Sequence, residues 1–121
     1  SDLSGVAGGQ VAVWVLTPRR LVYWFNRLNR EVFDGVLECP HLSYWRDARY
    51  GPVWGLYFGD DTGKGRRIHI DTRVRSRDDL ISTLGHEMIH LWQDQHGLPL
   101  SHSGDFLEWS KALELQYGIK A

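Results

Sequence analysis

Residues 80–109 read "LISTLGHEMIHLWQDQHGLPLSHSGDFLEW". Leu80, Ile81, Leu84, Met88 and Leu91 recur at the three-and-four spacing of one helix face. His86 and His90 fall on the other side of that helix. Residues four apart lie only about 40° apart around a helix axis, so both imidazoles can address one point. With Glu87 between them they make a His-Glu-x-x-His pattern. Its spacing suits two nitrogen ligands to a divalent ion and a carboxylate that accepts a proton from water the ion activates. The helix carries its own limits. Ser76 and Asp79 form a capping box at its start, and Gly97 followed by Pro99 stops it near Gln95.

A catalytic zinc site usually takes three protein ligands and leaves one position open to water. His96, His102 and Glu108 are the candidates for the third. His96 has the spacing at which a glycine-bent chain would return a ligand, but Gln93 stands where that glycine would be. If the helix runs through Gln93, His96 projects about 100° from the ligand face and reads as a helix-end residue near the negative dipole terminus. His102 lies beyond the Gly97–Pro99 break, where a loop residue can swing back over the helix. That favours His102, with His96 second and Glu108, on the following helix, last.

Outward from this stretch the chain reads as a small α+β domain. "TPRRLVYWFNRLNREVFDG" at 17–35 is a helix with Thr17 as cap, Pro18 in its first turn and Gly35 as stop. Leu21, Phe25, Leu28 and Val32 form its buried stripe. "HLSYWR", "VWGLYFG" and "RRIHIDTRV" are short and rich in β-branched and aromatic residues. They predict a small antiparallel sheet, with "DDTGKG" as a hairpin loop. A last helix is expected over about 104–117, with Phe106, Trp109, Leu113 and Tyr117 inward and Gly118 at its end. The Gly-rich opening "SDLSGVAGGQ" and the apolar "VAVWVL" make residues 1–16 a flexible tail and lead-in, leaving 17–121 as one domain.

Composition narrows the function classes. A length of 121 residues fits a single core, and 42% hydrophobic against 24% charged residues is the balance of a folded chain. The net charge of −1 excludes a polycation, so any nucleic-acid contact must come from a local patch. Arg19, Arg20, Arg27 and Arg30 on the first helix, and Arg66, Arg67, Arg73, Arg75 and Arg77 near the third strand, are the cations available. Trp24, Trp45, Trp54 and Tyr57 are the aromatics that would stack on unpaired bases. One cysteine, Cys39, cannot form an internal disulfide, and no apolar run is long enough to span a bilayer. A cytoplasmic monomer is expected.

The block "LISTLGHEMIHLWQDQHGLPLSHSGDF" resembles the SprT-like (Spartan) zinc metalloproteases, in which a third histidine sits in an H-x-x-x-F element leading into the next helix. His102 and Phe106 fill those two places, and "FNRLNREVFDGVL" and "RIHIDTRVRSRDDLISTLGHEMIH" extend the likeness over roughly 18–118. The chain departs from the pattern at Ser103, which separates the third histidine from Gly104. The resemblance implies a zincin-like fold and a Zn2+ held by His86, His90 and His102, with Glu87 as general base. It also implies a protein or peptide substrate, DNA-bound or DNA-crosslinked, with single-stranded DNA as a further partner. A reading from another class, a catalytically silent zinc-stabilised DNA- or protein-binding module, has no use for Glu87 beside the metal. Tyr50, Tyr57, His69 and Tyr117 are candidate stabilisers of a developing oxyanion, and Asp94 and Asp105 are candidate partners of the imidazoles.

Overall fold

The computed structural model describes residues 14–61 and 63–121. The first helix, α1, spans Pro18–Glu31, with the Thr17 hydroxyl accepting from the Arg20 N–H at 3.1 Å. Leu21, Phe25, Leu28 and Val32 are buried as their spacing requires. Trp24 joins them, edge-on to the rings of Tyr23 and Tyr117. The chain leaves α1 through Asp34 and Gly35, both at positive φ. The Asn29 side chain then exchanges two 3.0 Å hydrogen bonds with the Leu37 backbone. This bracket turns the chain back toward the sheet. The expected tail at 1–13 lies outside the described residues. Of the lead-in, Trp14–Leu16 is irregular, and Leu16 is buried in the core.

Three strands follow: β1 (His41–Tyr44), β2 (Gly55–Phe58) and β3 (Arg67–Ile70). Their order is β1-β3-β2. β2 pairs antiparallel with β3, Leu56 opposite His69, as the hairpin loop predicts. β1, however, pairs parallel with β3, Ser43 opposite His69. The sheet is therefore mixed, which corrects the antiparallel expectation. The cause is β3: Ile68, His69 and Ile70 are all buried, so the strand is covered on both faces and takes the centre. The ten residues from Trp45 to Trp54, with a 3-10 turn at Ala48–Tyr50, carry the chain past that centre to the far edge.

The second helix, α2, spans Arg77–Gln95, with the Ser76 hydroxyl accepting from the Asp79 N–H at 3.0 Å. The third, α3, spans Asp105–Tyr117 and ends on Gly118 in the left-handed conformation. The helices pack on the sheet face that carries Ile68 and Ile70, and the core unites Phe25, Leu28, Leu84, Met88 and Leu113. Each such side chain contributes about 1.5–3 kcal/mol by leaving water. α2 and α3 approach closely at Gly85, where a Cβ would stand 2.7 Å from Leu113 Cδ2. Among the described residues no helix is long and apolar enough to cross a membrane.

The crossover from β1 to β2 is tied down by one ion pair. Buried Asp71 accepts from the Arg73 N–H at 2.8 Å and from its Nε at 3.1 Å. Arg73 also donates to the carbonyls of Gly51 and Val53 at 2.8 and 2.9 Å. Burial alone would raise the Asp71 carboxyl, but the Arg73 hydrogen bonds outweigh it and hold it below the ordinary carboxylate value. The stabilisation is thus complete above the unfolded value of about 3.9 and disappears as pH falls through the folded one. Arg73→Met is expected to cost about 2–3 kcal/mol in urea unfolding at neutral pH. Its stability should also fall less steeply than that of the parent chain below about pH 4. Equal acid slopes in the two chains would show that the pair does not anchor the crossover.

Candidate metal centre

α2 is buried nearly all round, so the polar residues on it are built into the fold. Glu87 is buried at the edge of the Leu80–Leu84–Leu91 stripe, and His90, Gln93 and Ile89 are buried off that stripe. His86 is half-buried and His102 exposed. The three histidines come together. His102 Nε2 stands 3.1 Å from His86 Nε2 and 3.2 Å from His90 Nε2. Among the described residues they form the one cluster of potential ligands that meets at a point. Phe106 lies beneath them, its ring centre 4.9, 5.4 and 5.0 Å from those of His86, His90 and His102.

The electrostatics favour a cation. Burial, then the neighbouring His90 and His102, push His86 down to about 4, and burial pushes His90 down as well. Both are neutral near pH 7, the form that ligates. The His90 Nδ1–H donates to Gln93 Oε1 at 2.9 Å, which leaves the Nε2 lone pair facing the other two rings. An ion with nitrogen ligands at about 2.0–2.1 Å in tetrahedral array places them about 3.3–3.4 Å apart. The observed spacings fit that set. Glu87 adjoins it, and burial pushes its carboxyl up to about 7.

Two features hold this arrangement. The first is Gln93, fully buried, whose amide uses both ends. Its Nε2 donates to the Ser101 carbonyl at 3.1 Å and to Asp105 Oδ1 at 3.0 Å, and its Oε1 accepts from the Ser101 N–H at 3.3 Å. One side chain thereby orients His90 and fixes the loop that presents His102. The second is Gly55, at the start of β2. A Cβ there would stand 2.7 Å from Thr83 Cγ2 and 3.2 Å from both Cγ and Oε2 of Glu87. The bare backbone lets the strand close over the carboxylate.

The other candidates are elsewhere. His96 stacks on Trp92 at 4.2 Å and sets Nδ1 2.8 Å from that residue's carbonyl, at the end of α2. Glu108 is exposed on α3 and outside the cluster. Asp94 accepts from the Tyr57 hydroxyl and from Arg66 Nε at 3.1 Å rather than from an imidazole. Asp105 acts on His90 only through Gln93. Tyr57 is committed to Asp94 and Tyr117 to Glu31. His69 lies on the sheet face away from the helices, with Nδ1 3.1 Å from Ser43 Oγ and Tyr50 against its ring. The Tyr57 and Tyr117 hydroxyls and the His69 ring are thus engaged with other partners. Exposed Cys39 donates its thiol to the Pro40 carbonyl and does not join the cluster. Gly55 went unread in the sequence, and Gln93 was read only as a helix residue, not as a partner of the histidines. Gln93 had a signal, since it stands three residues after His90 on the same helix.

The family model described as the SprT-like family matches residues 21–120. No curated protein and no solved structure matches the chain.

Gln93→Ala would leave the His90 Nδ1–H, the Ser101 carbonyl and Asp105 without their common partner. It is expected to weaken metal affinity about 10–100-fold, measured by competition with a chromophoric chelator. Far-ultraviolet circular dichroism should stay unchanged. Undiminished affinity would mean that the imidazoles hold their places without it.

Proposed function

The chain belongs to the SprT-like family, and from that premise we propose that it is a zinc-dependent endopeptidase of zincin-like fold. The domain comprises residues 17–121. The single observation that carries the reading is the meeting of three imidazoles, with His102 Nε2 3.1–3.2 Å from the other two, beside a buried glutamate. His86, His90 and His102 would hold the ion. When bound, zinc supplies Lewis acidity, which draws the pKa of a water toward neutrality and polarises a peptide carbonyl. Glu87 accepts the proton of the attacking water and returns it to the leaving amine; a carboxyl displaced upward by burial suits both transfers.

The fold also offers a place for the substrate. β2 is an edge strand, and its first residue, Gly55, touches Glu87. An extended polypeptide can pair with the unpaired edge of β2 and so bring a peptide bond past the carboxylate. The finer reading, that the polypeptide is DNA-bound or crosslinked, rests on the family. Several arginines once available for phosphate are engaged internally: Arg27 with Glu31, Arg66 with Asp94 and Arg73 with Asp71. Trp24 is buried and Tyr57 is bound to Asp94, which leaves Trp45 and Trp54, each 41% exposed, as the surfaces for stacking on single-stranded DNA. The presence of Glu87, buried against Gly55, argues against a silent binding module.

Metal analysis and casein cleavage test the reading, with and without single-stranded DNA and against a chelated control. The parent chain should hold about one zinc. His102→Ala should lose it and His96→Ala should keep it. Glu87→Gln should retain zinc and lose turnover by at least about a hundredfold; retained proteolysis in that variant would refute the assignment. Gly55→Ala should keep zinc yet lower turnover, because its Cβ displaces Thr83 and Glu87. Adding Thr83→Ser removes the nearer clash and should recover part of the loss.

A further inference from the structure

A groove of about 730 Å³ opens between the β2–β3 loop and the α2–α3 loop, within the roughly 300–1,000 Å³ of sites that enclose a ligand. Its lining includes none of the three histidines and approaches them along two segments of chain. Asp94, in its wall, stands one helical turn beyond His90, and Leu100 stands two residues before His102. Tyr57 and Phe58 line it from β2, so the edge strand that touches Glu87 at Gly55 runs directly into it. Phe58 is three residues from Gly55, about 10 Å at the rise of a strand.

The lining selects by shape rather than by charge. Asp94 is already bonded to Tyr57 and Arg66, and the Arg67 guanidinium lies 4.2 Å above the Phe58 ring. Lys64 and Asp61 stand at the rim with opposite signs. Phe58 is covered further by Tyr50, so the apolar surface left is part of the half-buried Tyr57 ring and the side chain of Leu100, which is 50% exposed. Half of Leu100 thus stays open to solvent beside the loop that presents His102.

We propose that this groove is the specificity pocket of the site. It takes a large apolar or aromatic side chain of the polypeptide substrate, two to four residues from the scissile bond. The inference rests on the endopeptidase reading and adds the class of substrate residue to it. A chain extended along β2 alternates its side chains, so one of them enters the groove while the reacting bond lies at Glu87.

The test uses the zinc-loaded chain and a mixed peptide library, with cleavage products sequenced by mass spectrometry. Products should be enriched in Phe, Tyr, Trp, Leu or Met at one position two to four residues from the cut. Leu100→Glu should lower kcat/KM for those peptides by about tenfold or more, with zinc content and melting temperature unchanged. Leu100→Trp, which narrows the groove, should move the preference toward smaller side chains. Binding is followed in parallel by fluorescence anisotropy of labelled peptides on zinc-loaded Glu87→Gln. Loss of binding in the additional Leu100→Glu variant, for apolar-bearing peptides only, supports the pocket even if the parent chain cleaves nothing, in which case the endopeptidase reading alone falls. The same cleavage pattern and the same binding in all Leu100 variants would overturn the pocket, whatever the rate of proteolysis.

Discussion

One buried amide holds the site together. Gln93 has no contact with water, and it meets His90, Ser101 and Asp105 at once. Each partner needs something different: the imidazole N–H an acceptor, the Ser101 carbonyl a donor, the Asp105 carboxylate a second donor. Only a side chain with both functions can satisfy them, and a buried polar group left unmatched costs about 1–3 kcal/mol. The geometry of the third histidine follows from this. His102 is on a loop, where position is usually loose, but its neighbour Ser101 is held from both its N–H and its carbonyl by a helix side chain. The chain reversal thereby acquires the rigidity of α2.

Close packing sets the remaining distances. Gly85 lets α3 press on α2 beneath the histidines, and Gly55 lets β2 press on it over Glu87. Both contacts are tighter than any side chain allows, and both bear on the short segment that carries the ligands. Phe106 then touches all three imidazoles from below and limits their motion. Imidazole nitrogens 3.1–3.2 Å apart, beside a carboxyl raised by burial, are an arrangement that an apolar core would not adopt unaided. The surrounding structure compels it, as expected where binding requires preorganisation.

The clustering histidines were plain in the sequence because helical periodicity and turn chemistry act locally. Ser76, Gly97 and Pro99 bound a helix, and the four-residue step from His86 to His90 needs no tertiary knowledge. His102 was legible for the same reason: the Gly97–Pro99 break marks where the chain can return. The strand order was not legible. Alternation identifies strands, yet the placement of β3 at the centre depends on which strand is buried on both faces. Arginine counts misled for a related reason, since Asp71, Asp94 and Glu31 lie distant in sequence or face their partners only once the chain folds. Trp24 likewise reads as a surface aromatic until the helix pair encloses it.

The two faces of the sheet divide the work. On the helix side, Gly55 and Tyr57 alternate along β2 and meet Glu87 and Asp94 in turn, so a single strand borders both the buried glutamate and the groove. On the other side, Ser43 and His69 pair across β1 and β3 under Trp45 and Tyr50, away from the histidine cluster. His69 Nε2 has no hydrogen-bond partner there, but aromatic rings flank its imidazole, and a ring face is a weak acceptor for an N–H. Burial lowers the pKa of this histidine, so it stays neutral and can be enclosed at small cost. The far face thus supports β3 without a charge, and the central strand can carry Ile68 and Ile70 into the core that positions α2. A histidine on a strand beside a histidine cluster invites a catalytic reading; here the pleat turns residue 69 away from residues 68 and 70 and so away from the helix that carries His86 and His90.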